Sequence, residues 1–224
     1  MKTLKIIIVL LLLVFYGCSG EDKNKTDFDV VDSNVTIWRE STGEYSIVLA
    51  FEVSNLSVGS VFFKESDFDI VDENGNIIET MKAVSAYPPV IKPKEMAVYY
   101  EVKKSNNISN ADIELSAIPH INTSEADKSK DSGDYLAIVD TNIGGSSHSA
   151  GIVKNISYKT EYNNVHIAVI TRNSSNEVIS VMTAELGLMK PGEQKNYIAK
   201  DRLEQRDISL SIASNCQYII YIDP

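Results

Sequence analysis

Cysteine is nearly missing from this chain. Its 224 residues include two, Cys18 and Cys216. That is too few for the disulfide framework that props up small secreted folds, so the fold must stand on an apolar core. Histidine is almost as scarce: His120, His148 and His166 lie far apart and lack the spacing of metal ligands, so no metal centre and no cofactor are expected. Positive charge is outnumbered, 21 Lys and Arg against 31 Asp and Glu, for a formal net charge of -10. Such a balance excludes a nucleic-acid footprint and argues against a face lying flat on anionic lipid.

Catalytic motifs are missing too. No G-x-S-x-G elbow exists. Gly144-Gly145-Ser146-Ser147 lacks the Lys-Ser/Thr ending of a phosphate loop. Ser146-Ser147-His148-Ser149 sets serine beside histidine, yet chain neighbours seldom face each other in triad geometry. The densest carboxylate run, Asp67 to Gly75, fails as an EF-hand because Val71 and Asp72 stand where an oxygen ligand and glycine are required. It reads instead as a solvated strand edge leading into a hairpin. Cys216 has no local group to activate it and reads as a small buried hydrophobe.

The N-terminus carries the clearest signal that is present. Lys2 and Lys5 precede an unbroken apolar run over residues 6–16. The run is too short for a stable membrane-spanning helix and fits the apolar region of a secretory signal. Phe15-Tyr16-Gly17-Cys18 follows, and it resembles the lipobox of bacterial lipoproteins. The resemblance implies a signal peptide over 1–17, diacylglycerol on the Cys18 sulfur and a tether over 18–27. The chain would then be lipid-anchored on the extracytoplasmic face of a bacterial membrane, with the bilayer itself as its partner through the acyl chains. Cys216 would be left alone, and no intrachain disulfide could form.

Beyond the tether, strand signals dominate. Tyr45, Ile47, Leu49, Phe51 and Val53 alternate with Ser46, Val48, Ala50, Glu52 and Ser54. Val165, Ile167 and Val169 alternate with His166, Ala168 and Ile170, and Ile208, Leu210 and Ile212 do the same with their neighbours. No stretch after Cys18 carries a helical stripe. Asn74-Gly75 between two apolar runs predicts a hairpin with a type I′ turn.

These features recur in order. Asn55-Leu56-Ser57 answers to Asn155-Ile156-Ser157, and Asn76-Ile77-Ile78 to Asn176-Glu177-Val178-Ile179. Lys92-Pro93-Lys94-Glu95 answers to Lys190-Pro191-Gly192-Glu193, followed at equal distance by Tyr99 and Tyr197. Asp112 to Ser116 answers to Asp207 to Ser211. The order argues for two copies of one β domain, at 28–121 and 134–224, joined by a polar linker over 122–133. Strand spacing and length predict an all-β chain of two tandem immunoglobulin-like β-sandwiches.

The second copy resembles the FxLYD-type immunoglobulin-like domain of bacterial surface lipoproteins. The resemblance lies in Gly151 to Ser157, Val165 to Ile170, Glu177-Val178-Ile179 and Leu188 to Glu193. The first copy resembles it more distantly, with Lys94 where the turn glycine stands. The resemblance implies a fold and a surface location and brings no catalytic residues.

Binding surfaces remain. Trp38, the single tryptophan, reads as core rather than as a ligand platform. Tyr158 and Tyr162 in a polar loop are the candidate contact surface for an envelope protein or glycan. The expectation is a non-catalytic binding or assembly module. A structural spacer is the alternative, and an enzyme assembled in space from His148, Cys216 or the Asp67 to Asp72 run is a third.

Overall fold

The computed structural model describes residues 27–83, 86–126, 134–144, 148–201 and 215–223. The expected signal peptide, Cys18, most of the tether and the alternation at Ile208, Leu210 and Ile212 lie outside them. All regular structure among the described residues is strand, as the period-two patterns predict. The N-terminal half holds β1 (Phe28–Arg39), β2 (Tyr45–Asn55), β3 (Val61–Phe63), β4 (Ser66–Asp72), β5 (Ile77–Ala83), β6 (Ala86–Tyr87), β7 (Val90–Ile91), β8 (Met96–Ser105), β9 (Leu115–His120) and β10 (Thr123–Glu125). The C-terminal half holds β11 (Leu136–Gly144), β12 (His148–Asn155), β13 (Tyr162–Arg172), β14 (Val178–Met189), β15 (Gln194–Lys200) and β16 (Asn215–Ile222).

In the first half β1, β2, β8 and β6 form one sheet, β5, β4 and β9 a second, and β10, β3 and β7 a third. Ile47, Leu49, Phe51 and Val53 of β2 point the same way and are at most 1% exposed. They share an apolar core with Phe68 and Ile70 of β4, Met81 of β5 and Tyr99 of β8. The Phe68 ring meets Phe51 at 5.2 Å and Tyr99 at 5.3 Å, edge to face. Each such side chain contributes about 1.5–3 kcal/mol on burial, which closes the sheets face to face. In the second half six strands run in the order β11-β12-β15-β14-β13-β16. A single residue pair, Thr183 with Lys200, joins β14 to β15. The sheet therefore folds over itself, and Val165, Ile167 and Val169 of β13 meet Val153 of β12 and Tyr197 of β15 in a second core.

Hydrogen bonds repeat between the halves. Asn55 Nδ2 donates to the carbonyls of Gly59 (2.8 Å) and Ile91 (3.1 Å) while its Oδ1 accepts from Ser57 N–H (2.8 Å). Asn155 makes the same three bonds, to Thr160 (2.8 Å), Met189 (3.1 Å) and from Ser157 (2.9 Å). Lys94 N–H donates to the Asn55 carbonyl and Gly192 N–H to that of Asn155, at 2.8 and 3.0 Å. Both turn residues have positive φ, 69° at Lys94 and 75° at Gly192, so Lys94 sits in a conformation that suits glycine better. Alanine at Asn55 or at Asn155 strands one buried carbonyl and one part-buried one. Each substitution is expected to cost about 1–3 kcal/mol in urea unfolding, and a loss at one site only would break the equivalence.

The hairpin turns also match, and they correct one expectation. Gly75 N–H bonds to the Asp72 carbonyl and Asp72 N–H to that of Asn76, both at 3.0 Å. Of the Asn74-Gly75 pair only Gly75 has positive φ, 80°. The loop is a type I turn followed by a left-handed residue rather than type I′. Asp72 Oδ1 explains the difference, because it accepts the N–H groups of Asn74 and Asn76 at 2.9 Å and holds the longer loop. Asn173 Oδ1 does the same for Ser175 and Glu177, at 2.9 and 3.0 Å.

The start of the segment expected as a linker is strand. Thr123, Ser124 and Glu125 pair with Phe63, Phe62 and Val61, and Ala126 N–H bonds to the Ser60 carbonyl at 3.0 Å. The open edge of β3 captures these polar residues, because strand pairing satisfies backbone groups whatever the side chains. Residues 127–133 lie outside the described set.

Candidate binding cleft

The second faces of the strands position the site. On β2 and β8 they present Val48, Ala50, Val98 and Tyr100, and on β13 and β14 they present Ala168, Ile170, Val178 and Val181. These eight side chains are all 3% exposed or less and form a third apolar cluster, which joins the two halves. Trp38 packs against it, so the tryptophan serves the seam between the halves.

Polar groups lock this seam. Glu52 and Arg172, with side chains 6% and 7% exposed, form a bidentate pair: Nη1 to Oε2 at 2.8 Å and Nη2 to Oε1 at 2.5 Å. Arg172 Nη1 also donates to the Asn176 carbonyl at 3.1 Å. The Asp201 carboxylate accepts the Tyr100 hydroxyl (3.2 Å) from one half and the Ser180 hydroxyl (2.5 Å) from the other. Asn34 Nδ2 crosses to the Val178 carbonyl at 3.4 Å. Each buried polar atom named here has a partner on the opposite half or beside it, as burial demands.

At one end of the seam the halves diverge and leave an open cleft of about 1230 Å³. One wall comes from residues 58–60 and 88–96 of the first half, including Pro88, Pro89 and Pro93. The other comes from residues 160–164 and from 219–223 at the end of β16. Lys92 and Asp134 pair across its rim at 3.2 Å; both are about half exposed, which makes this a weak clasp. The Tyr87 ring meets Tyr221 edge-on at 6.3 Å where the cleft closes into the seam.

The structure separates the two tyrosines singled out from sequence. Tyr158 is fully exposed, whereas Tyr162 is 3% exposed and belongs to the core of the C-terminal half. Tyr162 opens β13, and a register shift between Tyr162 and Val165 turns its ring inward with Val165 and Ile167. It borders the cleft without offering a ring to a partner in solution. Cys18 lies outside the described residues.

The remaining chemistry-bearing groups are held apart. His120 Nε2 lies 2.9 Å from the Asp69 carboxylate, His148 is exposed on β12, and the His166 ring stacks on Tyr221 at 5.4 Å. Among the described residues no group of three or more His, Cys, Asp or Glu could hold a metal. The Asp67 to Asp72 run is no strand edge, since β4 pairs with β5 on one side and β9 on the other. A hydrogen bond from Thr80, then one from His120, holds the Asp69 carboxyl below the usual range. Bonds from Asn76 do the same for Asp72. Stability from both is therefore present above the ordinary carboxylate range and lost as pH falls through their lowered folded values.

Cys216 is partly buried and packs against the C-terminal core, and burial pushes its thiol up. A thiol shifted that way is neutral at physiological pH and a poor nucleophile. We expect Ellman's reagent to leave Cys216 unmodified in the folded chain at neutral pH and to modify it on unfolding. Rapid labelling of the native chain would contradict this placement.

No family model matches the chain, and no curated protein is similar to it.

Proposed function

We propose that this chain is a non-catalytic binding or assembly module, held by lipid on Cys18 at the extracytoplasmic face of a bacterial membrane. In this reading the described residues are two tandem immunoglobulin-like sandwiches of the FxLYD type. The recurrence of the Asn55 and Asn155 networks, and of the turns at Asp72 and Asn173, supports two copies of one module. A bulge between Val30 and Asp32 in β1, matched by one between Ile138 and Asp140 in β11, supports it further.

The observation that carries the reading is the seam with its cleft. Two sandwiches on a free linker would present separate surfaces. Here an apolar face and a buried ion pair hold the halves in one arrangement, which preorganises the cleft between them and lowers the ordering cost of binding. The Asp69 and Asp72 carboxylates are already committed to strand and turn contacts, which supports binding over chemistry.

Two measurements test this. Mass spectrometry of the mature protein is expected to find a diacylglyceryl thioether at Cys18, and Cys18→Ala is expected to leave the membrane fraction. A photo-crosslinking residue at Val58, which is fully exposed beside the cleft, is expected to give one discrete adduct in intact envelopes. The same residue at exposed Ile118, on β9, is expected to give none. Equal or absent crosslinking at both positions would favour a spacer that only lifts or supports.

A further inference from the structure

The outer edge of β16 is open. β16 closes one end of the six-stranded sheet, and among the described residues no strand flanks it beyond β13. Asp223 N–H donates to the Asn164 carbonyl at 3.0 Å, and Val165 pairs with Ile222. In an antiparallel ladder, inward-bonded residues alternate with outward-facing ones. The backbone groups of residues 217, 219 and 221 therefore face β13, and those of Tyr218, Ile220 and Ile222 face outward. The cleft touches Ile219, Ile220, Tyr221 and Ile222 in succession. Neighbouring residues point to opposite faces of a strand, so a cleft that touches all four runs along its edge.

This edge is unguarded. Other edges carry the devices that deter pairing: a bulge in β1 and another in β11, Glu79 and Lys82 on β5, Pro119 on β9. β16 reads Asn-Cys-Gln-Tyr-Ile-Ile-Tyr-Ile, with no charge, proline or register shift. Across from it stands the 88–96 segment, whose Pro88, Pro89 and Pro93 have no N–H to offer an incoming backbone. The sheet of a second copy would bring its flanking strands in beside that wall, whereas a single extended chain brings one strand only.

We propose that the cleft accepts one extended segment of a partner protein, which adds to β16 as a seventh strand. This proposal rests on the binding-module reading. The incoming backbone bonds to the outward groups of Ile220 and Ile222. On the side of Ile219 and Tyr221, where Tyr87 already touches Tyr221, its side chains meet Pro88, Pro89 and Val90. The recognised segment carries apolar residues at every second position.

Hydrogen exchange of the purified full chain tests the open edge by itself. The amides of 219 and 221 are expected to be protected, and those of 220 and 222 to exchange rapidly. Protection of 220 and 222 in the free chain, whether by its own residues or by a second copy, would overturn the proposal. Random octapeptides displayed on phage are the second probe. Panning is expected to enrich alternating apolar sequences whose synthetic peptides slow exchange at 220 and 222. No enrichment, or protection elsewhere only, would overturn it. Methylating the peptide amides on one edge is expected to weaken binding about tenfold or more, and on the other edge to leave it unchanged. Equal effects on both edges would overturn strand addition. Met96→Lys, at a half-exposed position on the wall, is expected to reduce binding with the urea midpoint unchanged, and undiminished binding would move the occupant off this cleft. Adducts at Val58 in envelopes alongside a protected edge would sink strand addition while sparing the module.

Discussion

Arg172→Ala is expected to lower the free energy of unfolding by about 3–5 kcal/mol. The size follows from what the substitution leaves behind. Glu52 is 5% exposed, on the face of β2 that meets the C-terminal half, and Arg172 supplies both arms of its fork. Without the guanidinium, a carboxylate is stranded in a dry seam, and the Asn176 carbonyl loses a donor as well. Glu52→Met combined with Arg172→Met removes both charges, and is expected to recover most of the loss, because a packed apolar pair escapes the desolvation cost. Urea unfolding of the single and double variants checks both statements. A loss below about 1 kcal/mol in the single variant would mean that the pair is solvated like a surface bridge.

The second large effect is expected from Ile170→Asp. Ile170 is 1% exposed and faces Val48, Ala50, Val98 and Tyr100 across the seam. An unpaired carboxylate there costs several kcal/mol after relaxation. Each half keeps its own apolar cluster, so the strain has an outlet: the halves can part without either core dissolving. The expected result is unfolding in two transitions instead of one, with a larger radius of gyration in solution scattering. A single transition at unchanged radius would mean that the seam tolerates the charge and does not hold the halves together.

The strands were largely legible, because alternation is local. Ile47, Leu49, Phe51 and Val53 announce one buried face of β2 without any knowledge of what they touch. The seam was half legible. Val48 and Ala50 are apolar as well, and so are Ala168 and Ile170, which is the mark of strands covered on both faces. Reading only the stronger face leaves the two halves apparently independent. The Glu52–Arg172 pair had no local signal at all, since its members lie 120 positions apart. Tyr162 misled because Tyr158 to Tyr162 reads as a polar loop. Asn164 takes a positive φ, 51°, inside β13, and the register shift there turns Tyr162 inward. Polar alternation drew attention to Ile208, Leu210 and Ile212, which lie outside the described residues. It passed over β16, partner of β13 as β9 is of β4, whose apolar residues run together from Tyr218 to Ile222 instead of alternating. The cleft depends on all of these placements together.

The place where the chain enters its first strand sets a height. Asp27 N–H bonds to Ser57 Oγ at 2.8 Å, and the Asp27 carbonyl accepts Leu56 N–H at 3.0 Å. Residues 58–60, which follow at once, already border the cleft. Fully stretched, the nine steps from Cys18 to Asp27 span about 30 Å at most. With acyl chains on Cys18, the opening would hover within a few nanometres of the lipid headgroups, facing a thin layer of space. On that proposed anchor, what reached it would have to emerge from the same bilayer or skim its surface, which would favour the juxtamembrane stretch of a neighbouring protein.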